Sequence, residues 1–250
     1  MHIRTASLKY QDGEFSVSLQ DAERNHAECR SLARQFRNGR ECPVLLEEDR
    51  PFDLCLMVRD RRHGAGIACM PVTTASRAMR NGGFEAETRF DLSGLRVDHG
   101  ACMELGSPLI LADHAADRIM RLLVAALRSL VAGTRCEGFF TRIRLPLSGG
   151  DRFVQTLVHS LRRSRYALPE ELVRPRVRLG RTDMCLRDEV VLPAVLHSYL
   201  QLGARVCSEP YWDAEEGTAE ILLWLGRDRL SGRDRLRCRD RVPDGAGCYY

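Results

Sequence analysis

A chain of 250 residues, 44% hydrophobic and 29% charged, can bury a sizeable core and is not a disordered one. Its apolar runs, such as Leu122–Leu127 and Ile221–Leu225, fall far short of the roughly 20 residues that cross a bilayer, so at most peripheral membrane contact is expected. The net charge of +4 rests on arginine, with Lys9 the only lysine, and interspersed acids with few aromatics argue against a nucleic-acid groove.

Between Asp21 and Phe36, Ala22, Cys29, Leu32, Ala33 and Phe36 recur at helical spacing among charges and predict a first helix, ending at Asn38-Gly39. FDLCLMVRD reads as a buried strand, RRHGAG as a tight turn and GIACMPV as the returning strand of a hairpin. Pro71 cannot donate to a ladder, so an edge or a bulge is expected there. A loop-rich stretch around Gly82-Gly83 follows, and ACMELGSPLI is the third strand.

The clearest helix comes next, with Ile119, Leu122, Leu123, Ala126, Leu127, Leu130 and Val131 on one stripe, Asp113 as N-cap and Gly133 as stop. GFFTRIRLPL is a strand, and Phe153–Arg163 a helix. Beyond an irregular Arg/Pro segment, a helix over Pro193–Leu202 and two strands around RVCSEP and AEILLWL complete the folded part. Residues 231–250, with GRDRL occurring twice from Gly226 on, lack apolar residues for packing and are expected to be a polar tail. Mixed helices and antiparallel strands make an α+β domain over residues 1–230.

The ten cysteines are scattered singly, without CxxC or zinc-finger spacing, and are read as free thiols with no metal site. MHIRTASLKYQDGEF lacks an apolar leader, so a cytoplasmic location is expected.

PAVLHSYLQLGARVCSEPYWDAEEGTAEILLWLGRDRL resembles the C-terminal signature of the ornithine lipid N-acyltransferase family, also called hemolysin-like, of the GNAT superfamily. Tyr199, Gly203, Cys207, Glu209, Pro210, Trp212 and Asp213 fall in register with it. GGFEAETRFDLSGL, MELG and the Asp49 to Asp53 block resemble three further family blocks, so the resemblance runs from about Phe15 to Leu230. N-acyl-homoserine lactone synthases and N-acyl amino acid synthases are implied as more distant relatives.

The resemblance implies a GNAT-like central, mostly antiparallel twisted sheet flanked by helices. It also implies an amide-forming transfer of a fatty acyl group from an acyl carrier protein to the amine of an amino acid such as ornithine. The donor would be the phosphopantetheine thioester of acyl-ACP, with no bound cofactor. SPLILADHAADRIM lacks the glycines of a pyrophosphate loop, which disfavours CoA. Arg118, Arg121 and Arg128 offer either a face for an acidic carrier protein or a solvated helix face.

Amide formation from a thioester needs a neutral amine, so a carboxylate is the natural proton acceptor. Glu104, at the end of the third strand, matches the family glutamate and is the expected catalytic residue. Asp49, Asp53, Glu209 and Asp213 are expected to receive the acceptor's cationic groups, each with a turn or capping role as the alternative. The family's arginines are replaced here by Ser107 and Pro71, whereas Arg142 and Arg144 stand where the family keeps small residues. Two apart on one strand, Arg142 and Arg144 share a face and could supply that charge beside Glu104. The alternative function is a catalytically degenerate GNAT-like subunit that binds an acyl carrier protein or a second, partner acyltransferase.

Overall fold

A computed structural model describes residues 9–39, 52–95, 99–111, 116–147, 151–164, 166–168, 172–179 and 192–230. The expected N-cap Asp113, the tail 231–250 and the candidate Asp49 lie outside these residues.

Alternating burial along FSVSLQD begins the sheet: Lys9–Asp12 (β1) turns at Gly13, with φ near 50°, into Phe15–Asp21 (β2). An Asp-Gly turn before alternating apolar residues is a hairpin signal that the sequence reading passed over. The first helix is Ala22–Gly39 (α1), and the expected hairpin is Leu54–Asp60 (β3) with Gly66–Thr74 (β4). The stretch expected to be loop-rich holds Ala75–Arg80 (α2), a 3-10 turn over Glu85–Thr88 and Phe90–Asp91 (β5).

The third strand is interrupted. Cys102–Leu105 (β6) and Leu109–Ile110 (β7) both pair with β4, separated by Gly106 to Pro108. The long helix Ala116–Gly133 (α3) precedes Gly138–Pro146 (β8). Asp151–Arg162 (α4), Arg174–Pro175 (β9) and Ala194–Gln201 (α5) lead to the last hairpin, Arg205–Asp213 (β10) with Thr218–Gly226 (β11), and the single turn Arg227–Leu230 (α6).

Among the described residues the main sheet runs β1-β2-β3-β4-β6-β8-β11-β10, with β7 beside β4, and every pair is antiparallel except β6 with β8. This is the expected α+β class, a mostly antiparallel sheet between helices.

Strand alternation sorts side chains onto two faces. One face gathers Val17, Leu56, Met70, Val72, Met103, Leu105, Phe139, Ile143 and Ile221 against α3, α4 and α5. The expected stripe Ile119, Leu122, Leu123, Ala126, Leu127 and Leu130 is buried there, each large side chain contributing about 1.5–3 kcal/mol of transfer free energy. On the opposite face α1 covers Cys55, Met57 and Cys69, while α2 and the segment after it cover Cys102, Phe140, Leu222 and Trp224.

Pro71 departs from expectation. It lies in β4, an inner strand, opposite Cys55. Its carbonyl accepts from Gly106 N at 2.9 Å, and a residue's N and C=O point to the same side in a strand. The absent donor therefore faces the break between β6 and β7, so the neighbouring strand, rather than β4, is what interrupts. A Cβ on Gly106 would stand 2.9 Å from Pro71 Cβ, which makes glycine necessary for this close approach.

Candidate active site

The break has a consequence for β8. Its residues Gly138–Thr141 pair with β6, but from Arg142 to Pro146 the ladder shown is with β11 alone. The parallel strands β6 and β8 thus part after Leu105 and Thr141.

Glu104 stands at that parting, opposite Phe140 and buried on the α2 face of the sheet. Its carboxylate accepts from Glu85 N at 2.8 Å and Ala86 N at 3.0 Å, two amides presented by the 3-10 turn. Arg142 Nε lies 3.4 Å away. Burial pushes the Glu104 carboxyl up to about 7, helped by Glu85 and opposed by Arg142 and the two amides. A buried acid with this balance can hold or release a proton near neutral pH.

Arg142 also binds Glu85 and, at 2.9 Å, Glu220 of β11. Burial works to lower its pKa, but Glu104, Glu85 and Glu220 together raise it, so it stays cationic. Arg144 reaches Glu220 at 3.3 Å and the rim residue Glu216 at 3.7 Å. Arg89 joins Glu85, Glu220 and Asp213 at 3.4, 3.4 and 3.6 Å, its guanidinium carbon 5.7 Å from the Tyr211 ring centroid. Four carboxylates, Glu85, Glu104, Asp213 and Glu220, thus meet three guanidiniums, Arg89, Arg142 and Arg144. With the rim residue Glu216 the carboxylates outnumber the guanidiniums, and loss of the Glu104 proton near pH 7 adds to the negative excess.

Of the residues singled out from sequence, the structure brings Glu104, Arg142, Arg144 and Asp213 into this network. Asp53 is engaged elsewhere, accepting from the Thr74 amide at 2.8 Å and from its hydroxyl, which ties the start of β3 to the end of β4. Glu209 lies between Arg162 at 3.3 Å and Arg178 at 3.7 Å. Ser107 is half-buried in the break. Arg89, Glu85 and Glu220 were not singled out; the first two sit inside the GGFEAETRFDLSGL block, where one arginine among three acids was the available signal.

On the other face of the parting is Tyr199, read from sequence only as a pattern match. Its fully buried hydroxyl lies towards Thr141, whose own hydroxyl donates to Leu105 O at 2.9 Å, and it makes no formed hydrogen bond. Burial raises the pKa of this phenol, so it is neutral.

No protein-family model matches the chain. Among curated proteins, an L-ornithine N(alpha)-acyltransferase from Rhodobacter capsulatus is 25% identical over 66% of this chain, and the match spans 66% of that protein's own length. Among solved structures, a GCN5-related N-acetyltransferase from Brucella melitensis superposes with a TM-score of 0.42 at 8% identity, covering 89% of this chain and 81% of that one. A CoA-dependent acyl-homoserine lactone synthase, MesI, superposes with a TM-score of 0.37 at 10% identity, covering 86% and 95%. The resemblance read from the sequence blocks is borne out by the curated match: the chain is a distant relative of an L-ornithine N(alpha)-acyltransferase.

Proposed function

We propose that this protein is an N-acyltransferase that moves a fatty acyl group from the phosphopantetheine thioester of an acyl carrier protein to the amine of an amino acid such as ornithine. The observation that carries the reading is Glu104: a buried carboxyl with a proton affinity near neutrality, held by two main-chain amides where β6 and β8 part. The name of the Rhodobacter capsulatus relative supports the acceptor class.

An acceptor amine arrives as an ammonium and must lose a proton before it attacks. Deprotonated Glu104 takes that proton, directly or through one water. The excess negative charge of the network above about pH 7 favours an incoming ammonium over a neutral or anionic acceptor. β8 from Arg142 onward offers main-chain groups on the side where β6 has ended, and an extended pantetheine arm can add there as a strand does. In this reading the neutral Tyr199 hydroxyl, on the opposite face at the same parting, would donate a hydrogen bond to the thioester sulfur rather than give up its proton.

Each of the four carboxylates already has a guanidinium partner, which favours the alternative of a binding subunit without chemistry. Purified protein incubated with acyl-ACP and a panel of amino acids separates the two. An N-acyl amino acid released by wild type and formed far more slowly by Glu104→Gln supports the enzyme; no product with any acceptor supports the subunit.

A further inference from the structure

Cys29 on α1, Cys55 on β3 and Cys69 on β4 are far apart in sequence and belong to none of the machinery around Glu104. In the fold they converge. Cys55 pairs with Pro71 and Met57 with Cys69, so Cys55 and Cys69 are diagonal neighbours on one face of the hairpin, and α1 brings Cys29 down onto them. The three sulfurs lie within 4.8 Å of one another, Cys29 Sγ to Cys55 Sγ being 3.5 Å, and all three residues are at most 1% exposed.

We propose that these three sulfurs form a structural site for a thiophilic d10 metal ion, Zn(II) or Cu(I), which ties α1 to the β3–β4 hairpin.

Geometry fits such an ion. A metal–sulfur bond of about 2.3 Å places the sulfurs of a trigonal or tetrahedral thiolate site roughly 3.8–4.0 Å apart, within the spread seen here. Thiolate and thioether donors select Cu(I) and Zn(II) over harder ions. Glu28 beside Cys29 is neutralised by Arg59 and adds no unbalanced negative charge. A lone buried cysteine is an ordinary small core residue, but apolar packing gives no reason for three sulfurs from three elements to meet. A disulfide would consume two of them and leave the third.

The protons balance simply. Contacts with Cys29, reinforced by burial, hold Cys55 and Cys69 protonated when no cation is present. Three thiols binding Zn(II) release three protons, and Cu(I) on two thiolates and one thiol releases two. Either complex carries one negative charge.

The test uses the full chain, reduced and stripped with chelator, then titrated in separate arms with Cd(II), Zn(II) and Cu(I). The expected result is one ion per chain, thiolate-to-metal ultraviolet absorption with Cd(II), and a raised unfolding midpoint. Displacement of Cd(II) by Zn(II) or by Cu(I) identifies the preferred ion. A chain in which the other seven cysteines are serine should bind equally well, whereas Cys29→Ala or Cys69→Ala should weaken binding at least about 100-fold. Should those variants not fold, X-ray absorption of the wild-type complex still decides. A first shell of three or four sulfurs agrees. A nitrogen or oxygen shell, no uptake of any ion, or a resting Cys29–Cys55 disulfide overturns the proposal.

Discussion

Arg142 Nε lies 3.4 Å from the Glu104 carboxylate although the two residues sit on different strands, β8 and β6, and 38 positions apart. Arg142 follows Phe140, the register partner of Glu104, by two residues, so both side chains emerge on one face just where the strands part. The pair sets the charge state on which the proposed reaction depends.

If Glu104 is the proton acceptor, Glu104→Gln should lower kcat by about 10²–10⁴ with KM little changed. The wild-type rate should rise with pH through about 7 and then level off. A profile with no ionisation in that region, or a variant of unchanged kcat, contradicts the assignment.

Stability should follow the same titration with the opposite sign. Because the folded-state value is raised from the ordinary 4.5 to about 7, this group's contribution is fully present below about 4.5 and lost as pH rises through 7. The loss is on the order of 3 kcal/mol. Urea unfolding of wild type and Glu104→Gln at pH 5 and pH 8 measures it; the pH dependence should be smaller in the variant.

Arg142→Met removes the main cation that holds Glu104 down, so the midpoint of the rate profile should move above 7. Glu85 and Glu220 lose a partner as well, at a cost of about 3–5 kcal/mol, softened by the retained Arg89. By contrast, Ser107→Arg should not raise activity, because Arg142 already places positive charge beside Glu104. A gain of activity in that variant would show that the relocated arginine does not serve the site.

Gly106→Ala should cost about 1–3 kcal/mol in denaturant unfolding, since the new Cβ meets the Pro71 ring at 2.9 Å in the break that separates β6 from β7. Unchanged stability would mean that the break yields easily.

Much of the fold was legible because it rests on local periodicity. The α3 stripe and the β3–β4 hairpin were plain from spacing alone. The break after Leu105 was not, for ACMELGSPLI reads as one strand and only the contact of Gly106 with Pro71 divides it. Glu104 was found through its block resemblance, and Arg142 as a charge where that family keeps a small residue. Glu220 escaped because a single acid in AEILLWL carries no pattern until β11 lies beside β8. The cysteines show the same limit: a search for close spacing misses three sulfurs brought together from α1, β3 and β4.

The central claim is tested most directly by mass spectrometry of reactions containing purified protein, acyl-ACP and ornithine or another amino acid. The account predicts an N-acyl amino acid whose formation depends on Glu104 and rises with pH through about 7. Absence of any N-acyl product across the acceptor panel, from protein that is folded and binds acyl-ACP, would contradict it.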